Sequence, residues 1–252
     1  MKALGRPILI VAGMVLLGFW YIGYIGGTLF GIMPATAQAS PHPRAVALYL
    51  SGDMGFHAGL GPDIVERLNR HGISVVTVNS LHFFRTRRTP EQAGAMIADG
   101  LRRAISIDPV APLLLLGQSF GADVIAPSLP YVPTRLRARI AFVGLVVPGA
   151  TRQWRASPTE IFSMGEPEED AAVAAQRLSW VPLLCVHGRE EAASLCPALH
   201  QRNATRIALP GGHPLAHDPD AVSAVLLRAI DQSLPAPERL ARSGQARSEL
   251  AR

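Results

Sequence analysis

The sequence predicts an α/β fold in which helices cover both faces of a mostly parallel sheet. Short hydrophobic runs alternate along the chain with segments of helical spacing, which is the order that parallel strands and their crossover helices require. The runs are continuously apolar rather than alternating with polar residues, which is typical of strands buried on both faces. With 252 residues, 48% of them hydrophobic, the chain is long enough for one such domain.

The first half of this domain alternates three strands with three helices. Residues 45–50 form an apolar run and residues 73–78 are rich in β-branched side chains, so both are predicted strands. Between them, residues 62–71 place their apolar side chains on one helical face, and Gly72 ends the helix. The half is completed by a helix over 90–107, a strand over 113–116 and a helix over 122–129.

The second half continues the alternation to residue 234. Residues 140–147 are apolar and are closed by Pro148 and Gly149, which predicts another strand. Further along, a polar-rich helix is predicted over 168–178, strands over 183–187 and 206–209, and a closing helix over 218–234. The last segment, 235–252, has no apolar period and is predicted to be a disordered tail.

The most informative motif follows the strand at 113–116. Four leucines lead into the G-x-S-x-G turn at 117–121, and small residues after it can begin a helix. This succession of strand, turn and helix is the setting of the nucleophile elbow of α/β hydrolases, in which flanking glycines allow close backbone approach and expose the serine hydroxyl. We therefore predict an α/β-hydrolase-type sheet with Ser119 as the nucleophile. An ordinary glycine-rich turn is the alternative.

A serine nucleophile needs a base and an orienting acid, which in this fold class follow it along the chain. His213 comes after the last predicted strand and a Pro-Gly-Gly turn, and is the expected base, with His217 as the fallback. The loop after the strand at 183–187 carries two candidate acids. Glu191 is preferred because of its offset from the glycine at the loop's start, and Glu190 is the runner-up.

An oxyanion hole requires two backbone N–H donors aimed at the reacting carbonyl oxygen. Phe120, directly after the nucleophile, is expected to supply one of them. The turn after the first strand contains Gly52, Asp53 and Met54, and is expected to supply the other through Asp53 or Met54. For that segment, a plain strand-to-helix turn remains the alternative.

Residues 1–37 are interpreted as a signal peptide or membrane anchor. Lys2 and Arg6 give a short positive region, residues 7–34 are almost wholly apolar, and an Ala-Thr-Ala sequence at 35–37 allows a cut before residue 38. The apolar stretch is also long enough to span a bilayer, so cleavage, which we favour, and retention as an anchor both stay open. Either way the chain is expected to be exported, with a linker at 38–44 and the α/β domain at 45–234.

The cysteines agree with export. Cys185 and Cys196 are the two cysteines of the chain, and an oxidising compartment favours a disulfide between them; two unrelated buried thiols are the alternative. Their spacing does not fit a zinc site, and we expect neither a metal nor a cofactor. The chain has 24 basic and 19 acidic residues, but no basic run interleaved with aromatics, so nucleic acid is not an expected partner.

Three motifs taken together resemble the VirJ/AcvB family of bacterial virulence proteins. They are Ser-Gly-Asp-Met-Gly-Phe at 51–56, the stretch from Asn79 to Gln92, and the elbow from Gly117 to Val124. The segment from Cys185 to Pro197 and the turn ending in His213 also fit the family's pattern. The resemblance covers about residues 45–233. It implies an exported α/β-hydrolase with Ser119 as nucleophile and His213 as base. Met54 and Phe56 depart from the family's first motif, and a side chain at Met54 could narrow the oxyanion turn.

The resemblance also implies a substrate. Family members are implicated in hydrolysing lysyl-phosphatidylglycerol and in supporting type IV secretion, which implies a periplasmic protein at the inner-membrane surface. Expected partners are therefore the aminoacylated phospholipid, that membrane surface, and type IV secretion components or exported proteins. A general periplasmic esterase or lipase is one alternative, and a non-catalytic scaffold or chaperone is another.

Such a lipid presents an ester carbonyl, a phosphate and a cationic amine. Arg85, Arg87 and Arg88 lie on the loop after the strand at 73–78 and could pair with the phosphate, although a solvated basic loop is the alternative. Asp53 or Asp123 could receive the amine, but a role in bracing the elbow helix fits Asp123 better.

Overall fold

The computed structural model describes residues 5–36, 42–57, 59–156 and 169–234. The predicted tail at 235–252 and the predicted cut between Ala37 and Gln38 lie outside the described residues. Most of the predicted linker also lies outside them, since its description begins at residue 42.

A seven-stranded sheet forms the centre of the molecule. Its strands are β1 (Phe30–Met33), β2 (Ala45–Leu50), β3 (Ile73–Val78), β4 (Leu113–Gln118), β5 (Ile140–Val146), β8 (Leu183–Gly188) and β9 (Ala204–Leu209), while β6 (Thr151–Arg152) and β7 (Glu169–Asp170) form a separate antiparallel pair. The order across the sheet is β1-β3-β2-β4-β5-β8-β9. β1 runs antiparallel to β3, and all other neighbours are parallel, so the predicted mostly parallel sheet is confirmed.

Helices lie on both faces of this sheet. They are α2 (Gly61–Arg70), α3 (Ser80–Phe84), α4 (Pro90–Ile107), α5 (Phe120–Ser128), α6 (Thr134–Arg137), α7 (Ala171–Gln176) and α8 (Pro219–Ser233), with 3-10 turns at Leu129–Tyr131, Cys196–Ala198 and Leu215–His217. A further helix, α1 (Gly5–Tyr21), precedes the sheet and leaves residues 10–18 exposed. Within the described part of the chain, none of the helices combines the length and the apolar character needed to cross a membrane.

With one exception, each predicted strand and helix of the domain begins and ends within two residues of the observed element. The helix predicted over 168–178 is instead the short strand β7 followed by the shorter helix α7. Backbone pairing with β6 takes the first residues of this segment out of the helix. The polar pattern of the segment carries no sign of that pairing.

Two apolar layers hold the helices against the sheet. On one face, Val46, Leu48 and Leu50 of β2 pack with side chains from α4 and α5. On the other face, Ala47 and Tyr49 of the same strand pack with α2 and α8. Every residue of β2 is buried, which explains why this strand is continuously apolar, and each large buried side chain contributes about 1.5–3 kcal/mol of burial free energy.

Local signals fix where the helices begin and end. Thr89 and Gln92 form a reciprocal capping box at the start of α4, and the Asp218 carboxylate accepts the Ala221 N–H at the start of α8. Gly72, with φ of 78°, follows α2 and turns the chain into β3. These caps orient the crossover helices and so set the loops that carry the candidate site.

One edge strand of the sheet, β1, lies within residues 1–37, the segment interpreted from the sequence as a signal peptide or membrane anchor. Phe30 pairs with Val78 and Met33 with Val75, so β1 covers most of the outer edge of β3. Beyond β1, the Ala35 N–H donates to the Ser74 hydroxyl at 3.1 Å. The predicted division at residue 37 therefore does not separate an independent leader from the sheet, because residues before it are part of the sheet.

Candidate active site

The candidate residues gather where the parallel strands end. Loops that follow β2, β4, β5, β8 and β9 all open at the carboxyl edge of the sheet, which is where open α/β sheets bind ligands. They carry the turn at 52–54, then Ser119, Gly149, Glu191 and His213 respectively. Residues far apart in the sequence thus meet at one edge.

Ser119 lies in a strained turn that its flanking glycines make possible. The serine has φ of 50°, a conformation that few non-glycine residues adopt. A Cβ at Gly117 would lie 2.7 Å from the Gly121 carbonyl oxygen, and a Cβ at Gly121 would lie 2.5 Å from the Leu50 carbonyl oxygen. Both glycines are therefore sterically required, and the Ser119 N–H donates to Val146 at 2.8 Å. This geometry is that of a nucleophile elbow.

His213 supplies the imidazole that contacts the serine. The distance between Ser119 Oγ and His213 Nε2 is 2.8 Å, which is a hydrogen bond. His213 follows β9 through a turn in which Gly211 has φ of 88°. His217, the fallback base, lies four residues on at the end of an exposed left-handed turn, where its own φ is 54°. It is thus His213 that lies within proton-transfer range of Ser119.

Of the two candidate acids, Glu191 lies against the imidazole. Its Oε1 is hydrogen-bonded to Nδ1 of His213, and its side chain is only 8% exposed. Glu190 is exposed, and its N–H donates to the Gly211 carbonyl at 3.1 Å. The hydrogen bond that His213 donates to Glu191 raises the pKa of His213, since the imidazolium gains a charged acceptor.

The loops bearing acid and base are packed tightly on each other. A Cβ at Gly188 would lie 2.5 Å from the Gly212 carbonyl carbon, so only glycine lets the two loops approach. The Arg189 N–H also donates to the Leu209 carbonyl at 2.8 Å. These contacts set the distance between Glu191 and His213.

A disulfide closes the loop that carries the acid. Cys185 of β8 is bonded to Cys196 of the following 3-10 turn, and Glu191 lies between them. Further backbone hydrogen bonds, from Leu195 to Pro148 at 3.0 Å and from Ala150 to Ala193 at 2.9 Å, tie the same loop to the segment after β5. The predicted disulfide is therefore present and braces the position of the carboxylate.

The turn after β2 lies against the nucleophile. A Cβ at Gly52 would lie 3.5 Å from the Ser119 Cβ, which places the 52–54 backbone beside the serine. Phe120, the first residue of α5, is buried behind it. Met54, the departure expected to affect this turn, is 42% exposed. The arrangement places the backbone of 52–54 and that of Phe120 beside the serine hydroxyl.

Asp123 braces the elbow from within α5. Its Oδ1 accepts the Gly149 N–H at 2.8 Å, and desolvation raises the pKa of the carboxyl to about 8. Gly149 is brought there by Val147, a buried β-branched residue with φ of 46°. Such strain is rare outside functional regions, and the sequence gives little sign of it beyond the Val-Pro-Gly succession.

Asp53 is a second carboxyl near the imidazole. Burial raises its pKa, while the charge of His213 acts to lower it. Asp53 and Asp123 also interact electrostatically, and both act to raise the pKa of His213. Both carboxylates, when ionised, therefore favour the protonated form of His213.

The three arginines after β3 differ from one another in their surroundings. The Arg88 guanidinium donates to the Phe83 carbonyl at 2.9 Å and stacks over the Phe83 ring, so it holds its own loop. Arg85 and Arg87 are exposed. In the described ranges, no three His, Cys, Asp or Glu side chains are grouped so as to hold a metal ion.

The arrangement can perform acyl transfer. The hydroxyl of Ser119 donates to the imidazole of His213, and that imidazole donates to the carboxylate of Glu191. Such a chain activates a serine and stabilises the imidazolium that forms when the proton moves.

Comparisons with known proteins agree with this fold. A family model described as bacterial virulence protein (VirJ) matches residues 44–234. Among curated protein sequences, none matches the chain.

Solved structures show the same architecture at low sequence identity. The α/β hydrolase GrgF from Penicillium sp. sh18 is 13% identical, with a TM-score of 0.60 over 80% of this chain and 92% of its own. Est1E from Butyrivibrio proteoclasticus is 14% identical, with a TM-score of 0.56 over 80% and 94%. XC6422 from Xanthomonas campestris, described as a serine hydrolase without a lid, is 17% identical, with a TM-score of 0.53 over 82% and 89%. The fold is therefore that of the α/β hydrolases.

Proposed function

Because the chain belongs to the VirJ family of bacterial virulence proteins, we propose that it is an exported serine ester hydrolase. The observation that carries this proposal is the contact of Ser119 with His213 at 2.8 Å, with Glu191 on the far side of the imidazole. A non-catalytic scaffold has no need of that alignment. Nor would it need a strained serine between two glycines that cannot be replaced without a clash.

The proposed reaction proceeds in two halves. Ser119 Oγ attacks the ester carbonyl as His213 takes its proton, and the protonated imidazole then donates that proton to the departing alcohol. A water molecule, deprotonated by His213, next attacks the acyl-enzyme and releases the carboxylic acid and the free serine. Glu191 holds the imidazole in the required tautomer, and the N–H groups of Phe120 and the 52–54 turn stabilise the oxyanion.

The proposed substrate is the aminoacyl ester of lysyl-phosphatidylglycerol at the periplasmic face of the inner membrane. Asp53, half-buried and close to His213, suits the cationic amine next to the ester carbonyl. Asp123 is the weaker candidate because Gly149 already engages its carboxyl. Arg85 and Arg87 are exposed on the same edge and suit the phosphate. Arg88, which donates to the Phe83 carbonyl, is the weaker candidate. A general esterase with another acyl substrate is the second candidate, and the described site accommodates it equally.

A fluorophosphonate probe tests whether the serine is activated. We expect the wild-type protein to be labelled, Ser119→Ala to be unlabelled, and Ser106→Ala, which removes an exposed hydroxyl at the end of α4, to be labelled normally. Ester hydrolysis should fall at least about 10⁴-fold in Ser119→Ala. An unlabelled but folded wild-type protein would favour the scaffold.

Lipid analysis tests the substrate. Membranes of a strain lacking the protein should accumulate lysyl-phosphatidylglycerol, and wild-type protein but not Ser119→Ala should restore the normal amount. If the probe labels Ser119 while the lipid is unchanged in the deletion strain, the general esterase replaces the lipid hydrolase.

A further inference from the structure

We propose that residues 1–36 are retained after export, and that helix α1 inserts into a lipid layer beside the catalytic edge. Two independent observations carry this proposal: residues 30–36 are integrated into the domain, and the helix before them exposes apolar side chains on every side. Neither observation depends on Ser119 or on ester hydrolysis, so the proposal goes beyond the proposed function.

The integration of residues 30–36 is extensive. β1 completes one edge of the sheet, and Phe30 lies beneath the guanidinium of Arg103, 4.5 Å from the ring centroid. The Asn69 side-chain amide donates to the Met33 carbonyl at 2.9 Å, and the Thr36 N–H donates to the Asn69 carbonyl at 3.0 Å. Cleavage after residue 37 would cut these residues from the chain that they stabilise.

The segment between the helix and β1 packs against the catalytic edge. The Asn79 N–H donates to the Leu29 carbonyl at 2.9 Å, and His82 Nδ1 lies 3.3 Å from the Gly23 carbonyl. Gly55, which ends the turn beside Ser119, is so close to Ile22 that a Cβ there would clash with the Ile22 carbonyl oxygen. The helix therefore leaves the domain at the edge of the sheet that carries the candidate site.

From residue 10 onward, where its side chains are described, the helix has no polar face. Residues 10–18 are all exposed, and the apolar side chains among them include Leu16 and Leu17, exposed by 58% and 64%. Trp20 and Tyr21, at the end nearest the domain, are also exposed and are of the kind that lies at the membrane interface. A helix that is apolar all round requires an apolar environment, and the described residues of the domain leave residues 10–18 exposed.

The charge near the base of the helix favours a bilayer over a second protein as that environment. Arg85 and Arg87 are exposed, and Arg85 contacts His82, the residue that touches Gly23. Cations at this position suit anionic phospholipid headgroups, while hydrocarbon suits the helix. The mouth of the site would then lie at the headgroup level, where an aminoacylated headgroup is found.

Intact-mass analysis tests retention. The full chain, carrying a tag at its carboxyl terminus, is produced in a Gram-negative host, and the fraction with the Cys185–Cys196 disulfide formed is isolated as the exported material. We expect its mass to include residues 1–36 and its location to be the membrane fraction. An exported chain that begins at Gln38 overturns the proposal.

Vesicle flotation tests the lipid contact. Purified full-length protein should float with vesicles of phosphatidylethanolamine and phosphatidylglycerol, and Leu17→Asp should weaken flotation at least about tenfold. Val110→Asp is the matched control, because Val110 is 49% exposed in the loop before β4, at the opposite edge of the sheet. Both variants should hydrolyse a soluble ester as the wild type does. Undiminished flotation of Leu17→Asp would overturn the lipid contact, whatever the substrate proves to be.

Discussion

The nucleophile elbow and the loops that carry acid and base are positioned by different means. Around Ser119, the backbone is so close-packed that Gly117 and Gly121 have no room for a side chain. Glu191 and His213 lie instead on two loops joined by hydrogen bonds, a disulfide closes the loop of Glu191, and the His213 side chain is 49% exposed. The elbow is fixed by the close packing of its own backbone, whereas the acid and base loops add discrete hydrogen bonds and a buried disulfide to the close approach at Gly188.

Because the two halves of the site are positioned differently, they should tolerate different substitutions. A close-packed turn has no adjustable part, so a small change there costs folding free energy before it affects chemistry. Loops held by discrete bonds lose those bonds one at a time, so changes there should alter activity or pH dependence while the fold survives.

The largest effect is expected from Gly121→Ala. The new methyl group would meet the Leu50 carbonyl oxygen at 2.5 Å, and that backbone belongs to a buried strand, so it cannot move aside. Alanine gains about 1 kcal/mol of helix propensity over glycine, but we expect the clash to cost about 4 kcal/mol or more. Chemical denaturation should show the loss, and Gly212→Ala, where the methyl group meets nothing within 4 Å, should be nearly as stable as wild type.

Glu191→Gln is expected to abolish most activity without unfolding the protein. The amide cannot stabilise the imidazolium and allows the wrong tautomer, so kcat/KM for a soluble ester should fall by about 10⁴-fold. Glu190→Gln, a change of the same kind on an exposed neighbour, should stay close to wild type. The reverse ranking of the two variants would assign the orienting role to Glu190.

The effect of removing the disulfide is expected to be smaller than that of Glu191→Gln. Replacing Cys185 and Cys196 by alanine opens a short loop and should lower the free energy of unfolding by about 3 kcal/mol, or the melting temperature by roughly 6 to 12 °C. Activity should fall much less than in Glu191→Gln, because the hydrogen bonds from the loop remain. Adding a thiol reductant should reproduce the shift in wild type and leave the double variant unchanged.

The smallest effect is expected from Asp53→Asn. The negative charge of Asp53 helps to raise the pKa of His213, so its removal should lower that pKa. Since the neutral imidazole is the base, the acid limb of the kcat/KM profile should move to lower pH, by about half a unit or less. KM for an aminoacyl ester should rise about threefold while KM for a neutral ester is unchanged. Asp99→Asn, an exposed change on α4, should alter neither quantity.

Much of the fold could be predicted because each central strand is a continuous apolar run. β1 was missed because its four residues lie inside a longer apolar stretch, where a strand and a leader look alike. α3 was missed because five residues are too few to establish a helical period. β1 depends on pairing with β3, whose residues lie far along the chain and in no local window.

The candidate site was predictable to a similar degree. A local motif predicted Ser119 as the nucleophile, and the position of His213 after the last predicted strand predicted it as the base. The preference for Glu191 over Glu190 relied on loop offset alone, whereas the structure shows that the turn made by the Gly188 and Gly211 backbones decides it. The contact of Asp123 with Gly149 depends on the unusual backbone of Val147, which no sequence pattern specifies.

The edge strand β1 has a practical consequence for handling the protein. All six residues of β3 are buried, so a chain that began at Gln38 would expose an apolar edge with unpaired backbone groups. Such an edge recruits strands from other molecules and promotes aggregation. Heterologous production of the domain should therefore yield non-aggregated protein only when residues 22–37 are kept, even if the apolar helix before them is removed.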